Sequence, residues 1–345
     1  MNIETKTLQN DWQQFTLTND HGMAVTLLNY GGIITDISTS NKNGQFENVV
    51  LGYNHVQDYE SDQHYLGAII GQVAGRIEQA RFSLNGKQYE LEKNDGNNLL
   101  HSGSNGFHHV IWKDEPFQTE DAVGVKLSHT SKEVDDGLPG NIQVHVTYSL
   151  NNANQLIIDY EATTDKTTYM TLTNHSYFNL SGNIKNTIHQ HHVTINSHQI
   201  AELNEKLIPT GKIVDITNSA FDFRNKRKLN DGITSNSLQN AIVGNGYDHY
   251  FMFEHGELGK VSVEDVISGR TLDIETNQPG MVMYTGNNLS DDLPLANGSS
   301  KIYAGVCFET QASPAAIHHE GFPNMILHAD ETYKKQTIFT FGVNK

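Results

Sequence analysis

The sequence predicts an all-β protein, built as one large antiparallel β-sandwich with few short helices and spanning residues 1–345 as a single domain. Three observations predict it. Short stretches of alternating β-branched and aromatic residues recur between Gly, Asn and Asp turns along the whole chain. Helical periodicity is weak throughout. No repeat, low-complexity block or Pro/Ser-rich linker breaks the pattern, and the seven prolines are scattered. Strands therefore follow strands, without the crossover helices of a parallel sheet. The pattern leaves the strand order open.

In chain order, QFTLTND, MAVTLLN and GIITDIST read as half-buried strands. VQDYESD is a short turn of helix. FSLNGKQYEL is a hairpin through LNGK, and IQVHVTYSL joins QLIIDYEATT through SLNNANQ. HVTINS follows, then a second short helical turn in NSLQNAI. VSVEDVISGRTLDIET is a hairpin through ISGRT, and MVMYTGN is a further strand. In each connection Asn or Gly supplies the positive φ that tight turns need.

The balance of 23 basic against 40 acidic residues, a net charge of −17, excludes a phosphate-binding surface for nucleic acid. It also disfavours anionic membranes and leaves neutral or cationic small molecules as ligands. The opening MNIETKTLQN carries no apolar signal-peptide core. No apolar run approaches the roughly 18–20 residues of a membrane span. A lone cysteine, Cys307, allows no intramolecular disulfide and suits a reducing cytoplasm.

Several stretches could carry chemistry. In TTYMTLTNHSYFNL, alternation puts Met170 and Leu172 on one face and Thr171, Thr173, His175 and Tyr177 on the other. The second face is polar and aromatic, as the wall of a sugar-sized cleft is, although a hydrogen-bonded histidine at a sheet margin has the same pattern. In YAGVCFETQASP, Tyr303, Cys307, Glu309 and Gln311 oppose Val306, Phe308 and Thr310. A carboxylate inside such a strand is costly to bury without a partner, so this face is either solvated or concave. NGYDHYF sets Asp248 behind an Asn-Gly turn, as a turn residue or as an acceptor for sugar hydroxyls. GQVAGRI places Arg76 in an apolar run, and GNNLLHSG places His101 on a glycine-flanked turn.

Competing signals are weaker. His189 and His191 in IHQHHVTI share a strand face at metal-ligand spacing, yet no third ligand completes a set. RNKRK, residues 224–228, is the basic cluster that a phosphate would need, and it reads equally as a solvated loop. Cys307 reads as an inert buried thiol. The chain has no P-loop, nucleophile elbow or dinucleotide fingerprint.

Taken together, LLNYGGIITDI, GQVAGRI, NLLHSG, TNHSYFNLSG, IPTGKIVDI, FDFR, GYDHYF, TNQPGMVMYTGN and VCFETQASP resemble, in order, the aldose 1-epimerase (galactose mutarotase) family, from about Asn29 to Pro314. The resemblance implies a single-domain β-supersandwich, generally cytoplasmic, needing neither metal nor cofactor, with a free sugar as its ligand. The oligomeric state it leaves at monomer or homodimer. It also implies Glu309 as catalytic base, His175 as catalytic acid, and Arg76, His101 and Asp248 as sugar-binding residues, with Gln278 a further contact. HSG departs from the Gly-Gly common after the histidine, which points to Ser102 as a residue tuning the pocket.

That reaction interconverts the α and β anomers of a free hexose, galactose or glucose, through the open-chain aldehyde. It needs a base at O1 and an acid at O5, each worth about 10²–10⁴-fold. Glu309 is expected to be ionised, and His175 to be protonated at rest with Glu309 and Asp248 favouring the imidazolium. Trp112, Tyr177 and Tyr284 are expected either to stack on the sugar or to sit in the core or rim. The rival readings are a hexose 6-phosphate 1-epimerase, a non-catalytic carbohydrate-binding module and a metal-dependent isomerase using His189 and His191.

Overall fold

The computed structural model describes residues 1–344, and its three largest sheets have five, nine and six strands. The first is a meander of Asn2–Thr7, Gln13–Thr18, Ala24–Leu28, Ile34–Ser40 and Phe46–Asn48 in sequence order. The nine-stranded sheet runs from Lys113–Gln118 through Ala122–Ser131, Ile142–Asn151 and Gln155–Thr164. It continues through the C-terminal strand Tyr333–Val343 to Arg270–Thr276, Gly259–Glu264, His192–Ile195 and Arg227–Lys228. The six-stranded sheet has the order Tyr177–Phe178, Val306–Thr310, Gly280–Tyr284, Asp248–Phe253, Ser197–Leu203, Pro209–Asp215. All pairings within these sheets are antiparallel.

Alternation builds the core. In Ile142–Asn151 the buried residues Ile142, Val144, Val146, Tyr148 and Leu150 alternate with more exposed ones. One hydrophobic cluster joins Phe15 and Leu17 of the first sheet, Val146 and Phe339 of the second, and Phe251 and Phe308 of the third. The nine-stranded sheet is thus stacked on the other two, and each such buried side chain contributes about 1.5–3 kcal/mol.

The predicted hairpins form. Asn85 and Gly86 both have positive φ (51° and 77°), as a two-residue turn of this hand requires. The helical turns appear as a 3₁₀ helix, Val56–Ser61, and an α-helix, Leu238–Ile242. Among the described residues no helix is long and apolar enough to cross a membrane.

One expectation is corrected. Residues 167–180 are not one strand but three two-residue strands, each with a different partner. Thr168–Tyr169 pairs with Ile326–Leu327, Thr173–Asn174 with Ile69–Ile70, and Tyr177–Phe178 with Val306–Thr310. Met170 and Leu172 do enter the main core and Tyr177 a second cluster, so the alternation survives locally. The segment is buried on both faces, and local pattern does not reveal a chain that changes partners.

Candidate active site

The six-stranded sheet supplies the floor of a cavity. Its register places Tyr177 and Tyr284 on either side of Cys307, and Val282 beside Glu309. Asp248 follows beside Tyr284, and Tyr250 beside Val282. Side chains alternate along a strand, so these residues share one face while Phe308, Met283 and His249 turn to the other. A cavity of about 300 Å³ lies over that face, within the range of about 300–1,000 Å³ typical of small-molecule sites.

Two short strands build the opposite wall. Arg76–Ile77 pairs with Leu99–Leu100 through Leu100↔Arg76, which delivers Arg76 and His101 to the same place. Gly75 fastens them. Its backbone N–H donates to His101 Nδ1 at 3.1 Å and its carbonyl accepts the His101 N–H at 3.1 Å. Gly75 has φ +89°, and a Cβ there would meet Pro314 at 2.9 Å, so only glycine fits. Burial, with His175 and Arg76 nearby, holds the His101 pKa well below its ordinary value. The neutral ring accepts at Nδ1 and therefore carries its proton on Nε2, as a donor.

Arg76 is pinned between carboxylates. Its Nε lies 2.7 Å from Asp95 Oδ2, and its Nη1 lies 3.9 Å from Asp248 Oδ2. Burial raises the Asp248 carboxyl pKa, and Arg76 opposes that rise. Asp95→Asn is expected to raise KM roughly fivefold with kcat little changed, about 1 kcal/mol for a partly exposed pair. Steady-state kinetics checks it.

His175 Nε2 stands 3.6 Å from Glu309 Oε1, with the two residues only 4% and 3% exposed. The backbone around the ring is tied down, His175 N–H donating to Ala68 O and His175 O accepting the Gly67 N–H. Its second nitrogen, Nδ1, lies 3.5 Å from Cys307 Sγ. Burial keeps that thiol neutral by pushing its pKa well above the ordinary value. Tyr65 packs edge-on against His101 and tilted against His175.

The protonation expected from sequence is corrected here. Burial pushes His175 down to about 4. Burial, with Asp248 nearby, pushes Glu309 well above the usual carboxylate range, and Arg76 opposes it. Removing two charges from water costs more than their attraction returns. Burial thus favours the uncharged arrangement, with a proton on the carboxyl rather than the imidazole.

His101, His175 and Glu309 bring donor atoms within 4.8 Å of one another. The Gly75 N–H already occupies the Nδ1 lone pair of His101, which leaves an N–H facing the others, an arrangement for moving protons rather than holding a cation. The His189/His191 pair is corrected too. His189 lies in a 3₁₀ helix, Ile188–Gln190, and bonds Thr187, whereas His191 accepts the Leu180 N–H. They share no strand face.

Known proteins resemble this chain over nearly its whole length. A family model described as aldose 1-epimerase matches residues 13–340. A galactose mutarotase from Bos taurus is 36% identical over 96% of this chain and 94% of its own length. A maltose epimerase from Levilactobacillus brevis is 30% identical over 94% of this chain and 93% of its own. The crystal structure of galactose 1-epimerase from Lactobacillus acidophilus superposes with a TM-score of 0.87 at 27% identity, covering 100% of this chain and 99% of that one. The chain belongs to the aldose 1-epimerase family. It is an isomerase that interconverts the anomers of aldoses, on the mutarotase-like β fold.

Of the residues singled out from sequence, Glu309, His175, Arg76, His101, Asp248, Tyr177 and Tyr284 line the epimerase's cavity. Gln278 does not. Its amide donates to Leu172 O at 3.0 Å and Tyr333 Oη at 3.1 Å, so it braces the core. Trp112 packs against Phe107 and His129, also in the core. Ser102 Oγ is spent on the Val73 backbone and lies off the cavity lining. Tyr303 has left the strand, with φ +63°, and packs edge-on against His189. The 224–228 cluster lies outside the cavity, with Arg224 bound to Asp222 and Lys226 to Glu264.

Sequence reasoning set Gln311 on the Glu309 face but missed its role in the site, for which that placement was a sufficient signal. It lines the cavity of the epimerase, and its buried Oε1 has no partner within the protein, leaving an acceptor for a hydroxyl. It also missed Tyr65 and the Leu203, Leu207 and Pro209 wall, for which no local pattern exists.

Proposed function

We propose that the cavity takes the pyranose of a free hexose, galactose or glucose, and that Glu309 and His175 exchange its anomers by general acid–base catalysis. The single observation carrying this reading is the His175–Glu309 pair, 3.6 Å apart on one cavity.

Ring opening starts from the charged arrangement, carboxylate and imidazolium. Glu309 takes the O1 proton, His175 protonates O5, and the C1–O5 bond breaks. The pair is then carboxylic acid and neutral imidazole, the arrangement that burial favours. The pocket therefore stabilises the state that coexists with the open-chain aldehyde. Rotation about C1–C2 and reclosure return both protons, and the count on the pair never changes. Arg76 and His101 serve as hydroxyl donors, with Asp248 and Gln311 as acceptors. Protons alone move, so no redox or group-transfer cofactor enters the scheme.

This reading takes the chain as one domain in the cytoplasm, a monomer or homodimer independent of nucleic acid and membrane. The net charge of −17 supports the last point. A hexose 6-phosphate is disfavoured as substrate. Among the described residues lining the cavity, Arg76 is the one Lys or Arg, and two carboxylates already hold it. Polarimetry of fresh α-galactose and α-glucose is expected to show rapid anomer exchange, with glucose 6-phosphate at least about tenfold slower, 1.4 kcal/mol of discrimination. Faster exchange of the phosphate ester would sink this reading.

A further inference from the structure

The strands Ser197–Leu203 and Asp248–Phe253 run side by side, pairing Gln199 with Met252 and Ile200 with Phe251. Continued in that register, the ladder would place Leu203 opposite Asp248. It stops at Ile200 instead, and Leu203 pairs on its other side with Pro209 after a register irregularity.

Side chains occupy the missing rungs. The Leu203 N–H donates to Gln239 Oε1 at 2.9 Å, and Gln239 Nε2 donates to Leu203 O at 2.9 Å. The primary amide thus presents to Leu203 the donor–acceptor pair that a neighbouring strand presents. On the other strand, the Asp248 N–H donates to His249 Nδ1 at 3.2 Å. His249 is fully buried, and with Nδ1 accepting, its Nε2–H donates to Gln239 Oε1 at 3.2 Å. Gln239 comes from the helix Leu238–Ile242, and Asn240 anchors that helix by donating to Gly246 O at 2.6 Å. Leu203 and Asp248 both line the cavity. A closed ladder would bring their Cβ atoms to about 4.5–5.5 Å, leaving no space for a hydroxyl between the side chains.

We infer that Gln239, acting through His249, is a positioning and specificity residue: it holds the Leu203 wall apart from Asp248 and so fixes the cavity width where Asp248 meets the sugar. This rests on the proposed sugar site. The reacting atoms at C1 and O5 face His175 and Glu309 instead, so the wedge governs binding more than turnover.

Gln239→Ala is expected to raise KM for the preferred hexose about tenfold with kcat within about twofold. Gln239→Glu keeps the acceptor for Leu203 and His249 but loses the donor to Leu203 O, and is expected to fall between Ala and wild type. A merely structural role would lower the folded fraction and leave KM where it was; an unchanged KM overturns the inference. Should Gln239→Ala fail to fold, Gln239→Glu carries the same comparison. The crystal structure of the variant tests the wedge without turnover: Leu203 closing toward Asp248 supports it, and an unchanged gap overturns it. A wild-type protein that exchanges no anomers would refute the reaction and leave the crystal structure to decide the wedge.

Discussion

Glu309→Gln is expected to lower kcat for anomer exchange about 10³-fold, within the 10²–10⁴ that one positioned proton transfer supplies. The amide has the shape of the carboxyl but cannot accept the O1 proton. Sugar affinity is expected to stay within about threefold, since contacts made equally in ground and transition states are untouched. Stability should not suffer, because the substitution removes an ionisable group from a site that is only 3% exposed. Polarimetry beside a direct binding isotherm separates the two quantities. Undiminished exchange in this variant would favour a sugar-binding module without catalysis.

His175→Asn is expected to cost about 10²–10³-fold in kcat, because water must then protonate O5. It is also expected to change the shape of the pH profile. In the wild type, activity falls as pH drops through about 4, where His175 takes a proton while Glu309 still holds its own. No base then remains for O1. Activity falls again at high pH, when the carboxyl, held well above its usual range, loses the shared proton and no acid remains for O5. The profile is a bell whose limbs belong to the pair. In His175→Asn only the carboxylate is needed, so activity should rise once through the Glu309 pKa and not fall again. A bell that survives the substitution would remove His175 from the proton path.

The chemistry-bearing residues were largely legible because strand alternation is a local property. Glu309 two residues from Cys307, with Val306 and Phe308 opposite, is visible in VCFETQ and holds in the sheet register. Gln311 was readable by the same rule. The motifs shared with the family named Arg76, His101 and Asp248, and all three line the cavity. Gln278 came from the same source and lies outside it, because Tyr333 and the Leu172 carbonyl claim its amide.

By itself, then, the sequence determined the β-class of the fold, its hairpins, and which ionisable side chains sit in apolar surroundings, because those follow from composition and period along a few residues. Tertiary structure decided which strands became neighbours, the break that turns residues 167–180 through three partners, and the gap between Leu203 and Asp248. It also decided which protonation arrangement of the pair burial favours. The reason is dielectric: the free energy of a charge depends on how much water and how many opposite charges surround it, and residues 175 and 309 acquire that environment only once segments over a hundred positions apart have packed together.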